Sequence, residues 1–407
     1  MTFDGYSGDV MRSAPSSAGA PVSRSIRLLI AARAVNQLGA FSLAFLTVML
    51  SSDFGASLTA AGAVSAACGL ATIPSRLFGG WLAGRLGRRR TIGCGLAGCA
   101  AAQFGIAIAP DLAVAAGCAV LLGLAFELYE PPSQAILADA TPPAARASVY
   151  ELLITALAAG NVVAGIIAAV VGRSDLRWLF VVDAVTCLAS LLIVWIALPA
   201  DHKPSSLPAD RPARAGGWPR PLLVMTAAGT MMALVYMLIL VGLPLSLSAH
   251  GLNPASAGLL QAASALALIA ARPLLRTRWL ARLPGTPAFA AGYLLMGIGL
   301  AGYAAVGSLA ALIAPTIAWT LGYLLLSGRA FAVVAELAPA GGSASYLAVY
   351  GLSWGVATAV APVFATLVIE VSGPASLWAI ASALCVVMAI AQPAIYRRIV
   401  NTSSMVR

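Results

Sequence analysis

Charge is scarce in this chain. Only 9% of its 407 residues are Asp, Glu, Lys or Arg, while 60% are hydrophobic and the mean hydropathy is +0.93. A soluble domain cannot cover its outside with so little charge, which excludes that class. Lys203 is the only lysine, and the two histidines, His202 and His250, fall between apolar runs without ligand partners. The six cysteines (Cys68, Cys94, Cys99, Cys118, Cys187, Cys385) lie inside apolar runs, with no CxxC spacing. They read as small packing residues, so neither a metal site nor a disulfide framework is expected. A Gly-x-x-x-x-Gly-Lys loop is absent, which excludes ATP as the direct energy source. No nucleophile–base pair stands in a recognisable context, so no catalysis and no cofactor are expected. The first 25 residues lack the apolar core of a signal peptide and read as a disordered cytoplasmic tail.

What is present is a series of apolar runs, each near the ~20 residues that a bilayer-spanning helix needs. They fall at 26–50, 57–83, 91–109, 112–137, 147–171 and 177–198, then at 221–247, 255–279, 287–306, 309–336, 345–370 and 375–396. The stretch 199–220 between the two sets is rich in proline and charge and reads as a linker. The expected fold is therefore an all-α membrane protein of twelve transmembrane helices in two six-helix halves, 26–198 and 221–398. A second tail follows at 399–407.

Net charge is +10, from 24 Lys+Arg against 14 Asp+Glu. Nucleic acid is excluded as the partner because no aromatics interleave with the basic residues. The arginines gather in alternate connectors: Arg85, Arg88, Arg89, Arg90; Arg146; Arg211, Arg214, Arg220; Arg276, Arg278, Arg282. The remaining connectors hold only Arg173 and Arg177, beside Asp175. By the positive-inside rule, both termini and the linker are expected in the cytoplasm of a multi-pass cell-membrane protein.

The two halves repeat weakly. Gly62 and Gly258 are 196 positions apart, as are Arg76 and Arg272, and Trp81-Leu82-Ala83 recurs as Trp279-Leu280-Ala281. Gly123 and Gly322 are 199 apart. Internal repeats around a linker are the layout of a two-lobed carrier.

The connector after span two reads Gly80-Trp81-Leu82-Ala83-Gly84-Arg85-Leu86-Gly87-Arg88-Arg89-Arg90. It resembles the Gly-x-Leu-Ala-Asp-Arg-x-Gly-Arg-Arg signature of the major facilitator superfamily. The resemblance implies a gating loop of Gly80, Gly84, Arg85, Gly87, Arg88 and Arg89, with Asp139 at the end of span four resembling the family's second acidic partner. The family's own loop carboxylate is replaced by Gly84, which implies a looser cytoplasmic latch. Gly160 to Ala169 resembles, in part, the span-five motif of drug–proton antiporters, with Gly165 where that motif has proline.

Polar groups inside the spans carry the functional reading, since a charge at mid-bilayer costs ~2.5–3.5 kcal/mol. Span one holds Arg33, Asn36 and Gln37; span four holds Glu127, Glu130 and Gln134; span ten holds Arg329. Arg329 and Glu130 share the repeat offset of 199. Arg33, Glu127, Glu130 and Arg329 are expected to form one cluster that pairs its charges and carries the coupled proton. The alternative is a structural ion-pair network. Pro131-Pro132 interrupts span four beside these acids, as expected where helix irregularity lines a cavity. Span seven is Met-rich with Tyr236, an adaptable wall for an amphipathic molecule.

The expectation is thus a monomeric secondary transporter without metal or cofactor. It would export small, partly hydrophobic organic molecules against protons by alternating access. The alternatives are a proton-coupled importer of a polar nutrient, such as an organic acid or sugar, and a transport-inactive membrane sensor.

Overall fold

The computed structural model describes residues 23–141, 146–199, 218–275, 285–305, 308–338 and 343–403. Residues 1–22, 200–217 and 404–407 lie outside the described residues, and with them most of the expected first tail and linker, while the last helix runs to Ser403, into the expected second tail. Arg211, Arg214, Arg276, Arg278 and Arg282, and the Trp279-Leu280-Ala281 repeat, also lie outside the described residues.

The described residues form helices and no strands. In the first half these are α1 (Arg24–Gln37), α2 (Ser42–Phe54), α3 (Leu58–Leu86), α4 (Arg88–Ala107), α5 (Leu112–Phe126), α6 (Glu130–Ala140), α7 (Arg146–Val171) and α8 (Arg177–Ala197). The second half has α9 (Arg220–Ala249), α10 (Ala257–Leu275), α11 (Gly285–Tyr303), α12 (Ile313–Glu336), α13 (Ser343–Ser372) and α14 (Pro374–Ser403). Taking α1 with α2 and α5 with α6 as one span each gives twelve. Eleven are long and apolar enough to cross a membrane. The other is α4, whose first turn is Arg88-Arg89-Arg90. Lipid-facing positions are apolar and exposed, as at Val371, Ile390 and Ile196.

Local sequence explains where the helices start and stop. Ser57 and Asp111 cap α3 and α5, their side chains accepting from the amides of Ala60 (3.2 Å) and Val114 (2.9 Å). Gly87 separates α3 from α4 at φ +93°, a conformation that a side chain strains.

Two spans are broken at mid-depth. Between α1 and α2 the helix ladder gives way to three-residue bonds, Leu38 to Val35 (3.1 Å), Gly39 to Asn36 (3.3 Å) and Ser42 to Gly39 (3.1 Å). Between α5 and α6 the amide of Leu128 donates to Ala125 (3.2 Å) and that of Glu130 to Glu127 (3.4 Å). Pro131 and Pro132 then occupy the first turn of α6, where their missing N–H groups leave no ladder bond unmade. Such interruptions within a span are tolerated where they are buried in protein or line a cavity.

The halves meet along α3 with α13 and α7 with α10. These two contacts are equivalent under the repeat, because α10 is the second-half counterpart of α3. The repeated glycines sit in them. A Cβ on Gly258 would strike Gly165 and the Ala169 amide, and one on Gly62 would strike Thr366. Gly62 therefore recurs as Gly258 because two helices approach too closely there for any side chain. These glycine approaches lie at the end of the molecule away from the termini. The carboxylate of Glu370, in the last turn of α13, also accepts from the Thr59 amide at 3.1 Å and from its hydroxyl. That end is closed.

Candidate functional site

Between the halves lies a cavity of about 750 Å³. Its wall runs out to the exposed Leu77 and Gly80, so it opens at the end of the molecule that holds the termini. The two sides of the wall differ chemically. The first half supplies Arg33, Asn36, Gln37, Arg76, Glu127 and Glu130, and the second supplies Tyr236, Met237, Leu240 and Trp354.

The charged side is organised by the break in span four. Glu127 follows the C-terminal end of α5, and Glu130 opens α6. The partial positive charge of a helix N-terminus favours a carboxylate at Glu130, and the carbonyl end of α5 disfavours one at Glu127. Each acid has its own cation. Arg33, on α1, pairs with Glu130, the two side chains being 14% and 24% exposed. Gln134 donates to the other Glu130 oxygen at 3.0 Å, and Arg33 lies 5.2 Å from the Tyr129 ring centre. Glu127 is 3.2 Å from the Nε of Arg76, on α3, and its backbone amide donates to Ser75 Oγ at 3.1 Å. With Arg76 44% exposed, this second pair stands in the open part of the cavity.

Neutral groups tie the broken spans together. The Tyr129 hydroxyl donates to Asn36 Oδ1 (2.9 Å), Asn36 Nδ2 to Cys187 Sγ (3.3 Å), and Gln37 Nε2 to Asn161 Oδ1 (2.7 Å). Across the cavity Tyr236 stacks on Tyr323 at 4.8 Å and meets Trp354 (5.5 Å) and Trp319 (6.1 Å) edge-on.

Of the four charges expected in one cluster, three are together and one is not. Arg329 belongs to α12 and is not among the residues lining the cavity. Trp319 and Tyr323 of α12 pack against Tyr236 of α9, which with Trp354 of α13 lines the cavity on that side. Arg76 completes the cluster instead. The sequence had singled it out only as a repeat marker with Arg272. Arg272 keeps the equivalent place in the other contact, donating to Thr155 Oγ1 at 3.1 Å. Gln134 reaches the cavity only through Glu130. Gln103 escaped notice altogether, although a lone amide within an apolar span was a signal of the same kind as Glu127.

The loop after α3 is built as follows. Arg88 pairs with Asp139 at 2.6 Å. Arg85 covers the Trp81 ring at 4.4 Å, while Arg89 lies over Trp195 at 4.7 Å and donates to its carbonyl. A Cβ on Gly80 or Gly84 would meet nothing within 4 Å. The acid missing at Gly84 is thus matched by an Arg88–Asp139 pair inside the first half, between α4 and α6.

Comparison with known proteins gives this arrangement its context. The family model described as Major Facilitator Superfamily matches residues 29–226. The uncharacterized MFS-type transporter YqjV of Bacillus subtilis is 32% identical over 170 residues, 42% of this chain; the match spans only 41% of that relative's length. A Na(+), Li(+), K(+)/H(+) antiporter of Planococcus maritimus is 24% identical over 367 residues, covering 78% of this chain and 83% of that one. Among solved structures, a peptide transporter POT in complex with sulfate superposes with a TM-score of 0.77 at 18% identity, over 93% of this chain and 95% of that one. The last likeness is one of fold.

Proposed function

We propose that this chain, which the Major Facilitator Superfamily model matches over residues 29–226, is a multi-pass membrane transporter of that family that exports small amphipathic organic molecules in exchange for protons. One observation carries the reading: a single cavity has a wall of paired charges on one side and a wall of Tyr236, Met237 and Trp354 on the other. An aromatic and methionine surface accepts varied apolar bodies, and about 750 Å³ suits a small organic molecule. The coupled proton belongs to Glu130, whose pair with Arg33 bridges the two broken spans. When that pair opens, the carboxylate is left in a poorly hydrated site and takes up a proton; when it closes, the proton leaves. With the termini cytoplasmic, the cavity faces inward. That a relative is named as a cation/proton antiporter supports exchange over symport.

The importer reading has one observation of its own, since Arg76 stands in the open cavity and is able to hold a substrate carboxylate. Proteoliposomes assayed with a compound panel, with and without a pH gradient, decide between them. Glu130→Gln is expected to keep substrate exchange and lose accumulation driven by the gradient. If Glu130→Gln with Arg33→Gln restores stability lost in the single variant, and pH-driven transport stays intact, the pair is architectural and the coupling proposal fails.

A further inference from the structure

The cavity wall holds a third carboxylate, which the reading above does not use. Asp183, on α8, is 5% exposed and takes part in none of the ion pairs found among the described residues. Everything around it is neutral. Ser42 Oγ donates to Oδ2 at 2.6 Å, Gln103 Nε2 donates to the same oxygen, and Cys187 Sγ lies 3.7 Å from Oδ1. The titratable groups facing it are thiols, Cys187 on its own helix and Cys99 of α4 beyond that. From α1 comes Asn36, which bonds Cys187; from α2 comes Ser42; from α4 comes Gln103. The nearest cation on α1, Arg33, is committed to Glu130. It sits beside Ala32, whose carbonyl accepts from Ser190, seven residues or ~10 Å along α8 from Asp183. A carboxylate sealed among neutral groups is poorly stabilised as an anion, and binding a proton neutralises it.

The surroundings satisfy both forms of the acid. Gln103 is 1% exposed; its Nε2 serves Asp183 and, at 3.0 Å, Ser42, while its Oε1 has no hydrogen-bond partner. With the carboxylate ionised, the amide donates to it. Once a hydronium ion in the cavity gives its proton to Oδ2, leaving water, a half-turn of the amide presents Oε1 to accept from the new O–H. The unpartnered oxygen is then explained.

The site is also placed to be felt by the fold. Ser42 is the first residue of α2, after the break in span one. A Cβ on Gly39, inside that break, would lie 2.5 Å from Asp183 Oδ1 and 2.6 Å from Thr186 Oγ1. Discontinuous spans of this kind are where carriers bind coupling ions. We propose that Asp183, with Ser42 and Gln103, is a second proton-binding site of the cavity, separate from Glu127 and Glu130, whose protonation is read by the α1–α2 break.

Infrared difference spectroscopy on the purified full-length protein in lipid, titrated between mildly acidic and mildly alkaline buffer, tests this. Proton uptake is counted alongside with a pH dye. Asp183→Asn is expected to lose one carboxylic C=O component and to exchange one proton per chain fewer, while Glu127→Gln with Glu130→Gln keeps that component. The component's loss only in the double glutamate variant, or its invariance with pH, overturns the assignment without touching the Glu130 reading. Should Asp183→Asn not fold, Ser42→Ala and Gln103→Leu serve instead. Each removes a partner of the carboxyl and is expected to move the C=O frequency; unchanged frequencies in both overturn the proposal.

Discussion

Gly165 offers a direct test of how the closed end is held. Substituting alanine adds one methyl group, whose carbon would sit 2.7 Å from the Ala262 amide nitrogen and 2.9 Å from the Ala262 methyl, and nearer still to the Gly258 carbonyl. Backbone on both sides leaves no flexible side chain to give way, so α7 and α10 must separate. Overpacking of this sort costs ~1–3 kcal/mol. The penalty falls only on the state in which the two helices touch. The helix propensity gained from alanine is common to both states and cancels. The population of the opposite conformation, open at the end away from the termini, is therefore expected to rise by about 5- to 150-fold. Spin labels on the exposed Val170 of α7 and His250 after α9 report that end, and pulsed dipolar spectroscopy gives the distance distribution. A long-distance component is expected to grow in Gly165→Ala. Gly117→Ala is the control, since a Cβ there meets nothing within 4 Å, and it should leave the distribution as in the parent. A folded Gly165→Ala protein with the parent's distribution would refute the claim that backbone contact at Gly165 and Gly258 sets the closure.

Glu370→Gln weakens the same closed end from the exposed rim, where a carboxylate at the start of a helix contributes ~0.3–1 kcal/mol. The same label pair should show a smaller shift in the same direction, and no shift at all would mean the Thr59 contact is incidental. Gly84→Asp restores the acid that the gating-loop signature carries, in open space one turn before Arg88. It is expected to favour closure at the termini end, read from labels on α3 and α13, unless Asp139 already satisfies the arginine, in which case the distance stays constant. Topology is checked by cysteine labelling from outside intact cells. The Arg173–Arg177 connector should react and the 199–220 linker should not; the reverse pattern overturns the orientation drawn from arginine.

Much of the site was legible one residue at a time. Glu127, Glu130 and Arg33 stood out as charges inside spans, and Pro131-Pro132 marked the break in span four before any helix was placed. The break in span one was not legible. It contains no proline, and its cause is tertiary: Gly39 and Ser42 turn against Asp183, 141 residues beyond Ser42. Partner choice was likewise hidden. The repeat offset pointed Glu130 at Arg329, while the fold gives it Arg33 and gives Glu127 to Arg76.

The sequence by itself determined the twelve spans, the cut into halves and the loop after span two. A bilayer demands that each crossing segment be apolar and satisfy its backbone within itself, and that demand is local, written in twenty consecutive residues at a time. Tertiary structure alone decided how each helix is turned about its axis, and how far apart the halves stand at either end. Those depend on contacts between residues a hundred or more positions apart, such as Gly62 with Thr366 and Gly165 with Gly258. Hydropathy is nearly blind to rotation in a helix that is apolar on every face. Packing against the neighbours is what turns Arg33 toward Glu130 and Arg76 toward Glu127.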